Sequence, residues 1–240
     1  MDYFEHYATV NDLSAAGRRK YWRGYRVLFA PLLPENKDSR ILDIGCGAGL
    51  FLEWLAATGF TNTVGIDIDP GQVKFARSLG QNAILVEDPV AWLRTQEPFA
   101  AVFMSDVMEH LGEDQLDTLL GAIRRSLEKG GRLIVRVPNA TSVTSLWVRY
   151  SDVTHKRLYT AESLNCVLRG AGFQPVRIMA GETWRPRSLR DAILIGGRAV
   201  VRVAMRAALV CELARPGLKI PLCQNLIAVA SVSDNDPQRT

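Results

Sequence analysis

Short apolar runs alternate with amphipathic segments along most of the chain. The runs predict strands near 40–45, 63–68, 83–87, 99–105, 132–137 and 174–179, and a last strand over 226–231. The stretches between them predict helices near 49–58, 70–79, 89–95, 114–128 and 161–170. Residues 12–30 read as a further helix, with aromatic and basic residues at Tyr21, Trp22, Arg23, Tyr25 and Arg26. Apolar strands separated by helices imply an α/β, doubly wound, mostly parallel sheet covered on both faces. Gly130-Gly131 and Ala171-Gly172 are placed to close helices ahead of strands.

Residues 181–224 break this rhythm. Projected at 100° per residue, Arg187, Arg190, Asp191, Arg198, Arg202, Arg206 and Glu212 fall within an arc of about 160°. Leu189, Ile193, Leu194, Val200, Val201, Val203, Met205, Leu209 and Val210 are the apolar positions of the same stretch, and Gly196-Gly197 is expected to break or bend the helix. Such a helix suits a membrane interface through 187–212, or packing on the domain or on a second copy in a homodimer. The expected organisation is a helical cap (1–38), a core (39–180 and 225–233), an amphipathic helical insertion (181–224) and a frayed tail (234–240).

Composition narrows the setting. A chain of 240 residues with 48% hydrophobic content is one large domain or one domain with an appendage. The net charge of +4 is mildly basic. The four cysteines (Cys46, Cys166, Cys211, Cys223) lack metal or disulfide spacing and read as reduced thiols. Neither a signal peptide nor an uncharged membrane span is evident, so the expected location is cytoplasmic, with a peripheral place on the inner face of the cell membrane if the insertion meets lipid.

The chemistry concentrates in Ile41-Leu42-Asp43-Ile44-Gly45-Cys46-Gly47-Ala48-Gly49. An apolar strand runs into three alternating glycines and a helix, a turn that exposes backbone N–H groups and admits a ligand where a Cβ would collide. The spacing is G-x-G-x-G, one residue shorter than the dinucleotide fingerprint. Asp43 would repel a pyrophosphate but suits a cationic ligand end. Asp67 follows a second strand, where a carboxylate can accept from a ribose diol.

With Gly65-Ile66-Asp67-Ile68-Asp69, Glu87-Asp88, Ser105-Asp106-Val107-Met108-Glu109-His110-Leu111 and Leu127–Val135 in order, the chain resembles the class I S-adenosylmethionine-dependent methyltransferases over residues 20–180. The resemblance implies a Rossmann-like, seven-stranded sheet with an antiparallel last strand and the helical insertion before it. It implies S-adenosyl-L-methionine as cofactor. Asp43, Gly45, Cys46, Gly47 and Gly49 would hold the methionine end, Asp67 the ribose, Ile68 and Asp88 the adenine, with Ser105 and Tyr21 (or Tyr25) nearby. Asp88 also reads as a helix N-cap before Pro89.

Transfer to a hydroxyl needs a base. His155 lies in Asp152–Tyr159, which resembles the D-x-T-H-x-x-x-Y segment of many bacterial methyltransferases acting on glycans. It is the favoured base, with His110 the alternative and Asp152 either orienting His155 or binding an acceptor hydroxyl. Glu109 and Tyr159 are candidate acceptor contacts, Tyr159 reading also, and rather more readily, as a loop anchor. Asp106, Glu109 and His110 have the composition of an oxygen/nitrogen metal site, and some ubiquinone-type O-methyltransferases carry similar residues here with magnesium. The match is partial, and no metal is expected.

The expected activity is methyl transfer to a hydroxyl of a saccharide or lipid-linked saccharide in cell-surface glycan assembly. The alternatives are O-methylation of a small or prenylated aromatic, as in quinone biosynthesis, and a non-catalytic cofactor-binding partner. Nucleic acid is not an expected partner, since the motif that receives a flipped base is absent after the fourth strand.

Overall fold

The computed structural model describes residues 3–182, 186, 188–214 and 219–232. Arg187 and the frayed tail at 234–240, both parts of the sequence reading, lie outside the described residues.

Seven strands form one sheet in the order β3-β2-β1-β4-β5-β7-β6. They are β1 (Ile41–Ile44), β2 (Thr63–Asp67), β3 (Ala83–Leu85), β4 (Phe99–Ser105), β5 (Leu127–Pro138), β6 (Val176–Ala180) and β7 (Asn225–Ser231). β1 to β5 pair in parallel, and β7 runs antiparallel between β5 and β6. This is the Rossmann-like, doubly wound arrangement that the resemblance implies. Its order reverses between β1 and β4, and a cleft opens at such a switch point beyond the carboxyl ends of the strands.

The helices are α1 (Tyr3–Val10), α2 (Ala15–Leu28), α3 (Leu50–Ala57), α4 (Pro70–Ser78), α5 (Pro89–Leu93), α6 (Glu113–Ser126), α7 (Ser145–Ser151), α8 (Ala161–Gly170) and α9 (Leu189–Leu213). Strand neighbours alternate between two cores because successive side chains point to opposite faces. Leu42, Val102 and Met104 join Leu116, Leu120, Ile123, Leu164 and Leu168 on one face. Ile41, Phe103 and Ile134 join Phe29, Phe51, Trp54 and Leu55 on the other. In that second core, Phe51 stacks on Phe103 at 3.9 Å between ring centroids.

Three features depart from the pattern reading. Helices α1 and α7 were not marked by it; α7 has no buried residue and so no stripe to reveal it. Helix α6 stops at Ser126 rather than at the glycine pair. Gly130, at φ 76°, instead lies within β5, where the register against β4 shifts between Phe99 and Ala101. The third is α9, which continues unbroken through Gly196-Gly197. Each internal glycine costs about 1 kcal/mol relative to alanine, which a helix of this length absorbs.

No residue of α9 is buried. Its half-buried stripe is Asp191, Ile195, Arg202, Met205, Arg206, Leu209 and Val210. Arg202 makes a two-pronged ion pair with Glu182, just beyond β6. Leu189, Ile193, Val200 and Val203 are left exposed. Among the described residues, no helix is long and apolar enough to cross a membrane.

Candidate active site

A cavity of about 980 Å³ occupies the carboxyl edge of the sheet. Its floor is the β1–α3 turn. Gly45, Gly47 and Gly49 all have φ between 51° and 76°, the left-handed region that disfavours side chains. A Cβ on Gly45 would lie 2.5 Å from Val107 Cγ2, and one on Gly49 would lie 2.8 Å from the Ala76 Cβ. The Gly45 and Cys46 N–H groups both donate to the Ile66 carbonyl, so β2 sets the turn. Gly47 N–H donates to Asp67 Oδ2 at 2.8 Å, and Asp69 N–H donates to Asp67 Oδ1 at 2.9 Å. Asp67 therefore ties the two ligand-facing loops together.

Asp43 is buried at 3% exposure and lines the cavity. Burial, reinforced by the Asp67 charge, pushes its carboxyl well above the usual range. Asp67 is also pushed up, chiefly by burial. Burial likewise raises the Cys46 thiol, making it a poor thiolate. A cationic ligand end beside Asp43 would offset the cost of a buried carboxylate. The cavity wall continues through Ile68, Ser105, Tyr21 and Tyr25. The two tyrosine rings stack at 6.4 Å.

The opposite wall comes from the end of β4. Asp106 holds φ 56°, strained for a residue with a side chain. Its Oδ2 accepts from Arg136 Nη1 at 2.5 Å and from Ser105 Oγ at 2.9 Å. A 3₁₀ turn over Met108–His110 then meets the loop 152–159. Lys156 N–H donates to the Glu109 carbonyl at 2.7 Å, and Tyr159 Oη donates to the Met108 carbonyl at 3.3 Å.

The two histidine rings pack tilted at 54° to one another, with centroids 4.7 Å apart. His155 Nδ1 lies 2.8 Å from the Val148 carbonyl. A carbonyl only accepts, so this nitrogen carries the proton and Nε2 is bare in the neutral ring. The Thr154 hydroxyl donates to Asp152 Oδ1 at 2.6 Å and lies 2.8 Å from His110 Nδ1. With its proton spent on Asp152, Thr154 accepts from His110, whose Nε2 is bare as well. Burial, then the neighbouring His155, lowers the His110 pKa. Burial would raise Asp152, but hydrogen bonds from Thr154 outweigh it and hold that carboxyl low.

A protein family described as a methyltransferase domain matches residues 15–178, more than half of the chain. The chain belongs to the S-adenosylmethionine-dependent methyltransferases. A crystal structure of an S-adenosylmethionine-dependent methyltransferase from Archaeoglobus fulgidus superposes with a TM-score of 0.66 at 24% identity, covering 95% of this chain and 99% of that one. That likeness bears on the fold. A ubiquinone biosynthesis O-methyltransferase from Xylella fastidiosa is 32% identical over 111 residues, 43% of each chain. The protein of the same name from Cereibacter sphaeroides is 31% identical over 167 residues, 63% of this chain and 66% of that one. The chain thus spans less than half of the length of the Xylella relative it matches.

In this methyltransferase the turn glycines and buried Asp43 fit S-adenosyl-L-methionine, since the cradle is closed to any Cβ and presents a carboxylate to a cation. Of the expected cofactor residues, Asp43, Gly45, Cys46, Gly47, Asp67, Ile68, Ser105 and Tyr21 share the cavity. Gly49 lies behind it, allowing α3 to approach Ala76 of α4. Asp88 stands exposed and off the wall, where its Oδ1 caps α5 through Val90 and Ala91 N–H.

The acceptor-side expectations need correction. His110 lines the cavity, whereas His155 packs behind it with 11% of its side chain exposed. Tyr159 is 1% exposed, and burial pushes its phenol up to about 12, so it anchors the loop rather than meeting an acceptor. Glu109 is fully buried, and burial followed by the Asp106 charge raises it to about 8. Both are withheld from an acceptor because the loop 152–159 folds back over the 3₁₀ turn. Arg136 was missed entirely. Its signal was a lone arginine inside the apolar run Ile134-Val135-Arg136-Val137.

Of the residues of the magnesium comparison, Glu109 and His110 cluster with His155. Asp106 is engaged by Arg136, and its carboxylate is not part of the cluster formed by Glu109, His110 and His155.

Proposed function

We propose that this methyltransferase acts on a hydroxyl of a small or prenylated aromatic, with His110 as the general base. The observation that carries the base assignment is that His110 lines the cavity with its Nδ1 engaged by Thr154, which leaves Nε2 bare. The names of the relatives favour a quinone-type acceptor over the lipid-linked saccharide, for which the D-x-T-H loop is the remaining support.

S-adenosylmethionine supplies an electrophilic methyl on a sulfonium. The chain's own residues do the rest. The glycine turn and Asp67 would hold the cofactor, and alignment of its methyl with the acceptor would be the main source of acceleration. His110 Nε2 takes the hydroxyl proton, and the Thr154–Asp152 pair holds the ring and favours the imidazolium that forms. His155, held by Val148, fixes the His110 ring from behind. The exposed apolar face of α9 would rest on the membrane that contains a prenylated acceptor.

The test is methyl-labelled cofactor offered with a catechol carrying a short prenyl chain, a catechol without one, and a lipid-linked saccharide. Label in the catechols supports the reading. Label in the saccharide alone replaces it with the glycan reading.

A further inference from the structure

We infer that Arg136 recognises a carboxylate on the methyl acceptor, so that the substrate is an aromatic acid bearing the hydroxyl rather than a neutral phenol. The inference rests on the aromatic reading proposed above and narrows it.

Arg136 is an outlier in its strand. Leu133, Ile134, Val135 and Val137 are fully buried in β5, which lies inside the sheet between β4 and β7. A cation at such a place is costly unless it is paired. Arg136 Nη1 donates to Asp106 Oδ2 at 2.5 Å and to Ser105 Oγ at 3.3 Å. Asp106 makes that contact from its strained φ of 56°, and strain of this kind clusters at ligand sites. Both contacts use one nitrogen. Among the described residues, Nε and Nη2 have no acceptor, and the side chain lines the cavity, partly exposed. The Nε–Nη2 edge of a guanidinium matches the two oxygens of a carboxylate. Lys20, the other permanent cation on the cavity wall, is largely exposed and paired with Asp12. Asp106 already faces the guanidinium, so a singly charged group suits the remaining edge better than a dianionic phosphate.

Position separates this edge from the cofactor turn. Arg136 stands level with Ser105 across β4, and β4 lies between it and β1. At about 4.8 Å per strand, its backbone is roughly 10 Å from β1 and roughly 14 Å from β2. Asp43 and Asp67, the carboxylates that suit the cofactor, stand on those two strands. His110 lines the same cavity as Arg136, so a hydroxyl and a carboxylate on one ring have a partner each.

The test is calorimetric binding of 3,4-dihydroxybenzoate and of its neutral, near-isosteric amide at pH 7. The full-length protein is first saturated with S-adenosylhomocysteine, which has no methyl to transfer. Wild type should bind the acid roughly 10–100-fold more tightly than the amide. Arg136→Gln should remove most of that preference. Arg136→Lys, which keeps the charge but not the fork, should retain only part of it. Titration with S-adenosylhomocysteine reports that each variant is folded, and the wild-type ratio can overturn the inference without any variant. Acid and amide bound alike overturn it and leave the aromatic reading standing, whereas neither bound overturns both. An acid preference unchanged in the folded variants puts the carboxylate on another residue and overturns it too. Variants that lose S-adenosylhomocysteine affinity by about tenfold or more, with the acid-over-amide ratio kept, assign Arg136 to the cofactor's own carboxylate instead.

Discussion

The two walls of the cavity are built by different means. The cofactor wall is backbone: positive-φ glycines, N–H groups and two carboxylates delivered by adjacent parallel strands. The other wall is side chain: His110 and Thr154 line it from segments about forty residues apart, joined by a hydrogen bond, with Asp152 and His155 behind them. A backbone site depends on local sequence and tolerates little. A side-chain site depends on loop packing and can change partner by substitution, which is how one fold serves many acceptors.

The sharpest way to break the comparison is His110→Ala. It should lower kcat by roughly 10²–10⁴-fold while leaving calorimetric affinity for S-adenosylmethionine unchanged. A parallel loss of cofactor affinity would show that the walls are not separable. The rate should also fall with acidification through the lowered His110 pKa, below the ordinary 6.5, because only the neutral ring accepts a proton. A pH profile of kcat/KM flat down to pH 5 would remove His110 from the reaction.

On the other wall, Gly45→Ala should weaken cofactor binding about 10–100-fold, from strain of ~1–3 kcal/mol at positive φ and the clash with Val107. Unchanged affinity would mean that the turn adapts, contrary to a rigid backbone site.

Glu109→Gln gives a smaller effect on stability. The Glu109 pKa is raised in the folded chain, from 4.5 to about 8. The folded state therefore binds more protons than the unfolded one between those values, and wild type loses stability as pH rises through that window. The variant lacks this slope, so its advantage in denaturant unfolding should grow from pH 5 to pH 8. Equal pH dependence of the two would mean that Glu109 is not held protonated.

Weakest is the effect of Arg202→Ala, which frees α9 from Glu182. Sedimentation with anionic liposomes should persist, since Leu189, Ile193, Val200 and Val203 remain exposed. Wild type that stays in the supernatant at low salt would end the membrane role of α9 and favour a protein partner.

The sequence by itself determined the strand–helix alternation, the parallel sheet and the cofactor wall. Those features are local: a strand, a glycine turn and a carboxylate lie within a few residues, and period and spacing report them directly. Asp88 shows the limit even here, because a helix cap and a ligand contact share one sequence signature. The tertiary structure alone decided which histidine faces the cavity, that Tyr159 and Glu109 are buried, and that Arg136 engages Asp106. It also decided which residues of α9 are half-buried, a mixed stripe of Asp191, Arg202 and Arg206 with Ile195, Met205, Leu209 and Val210. Each of these rests on contacts between segments distant in the chain, and helical or strand periodicity carries no record of which distant partner covers a face.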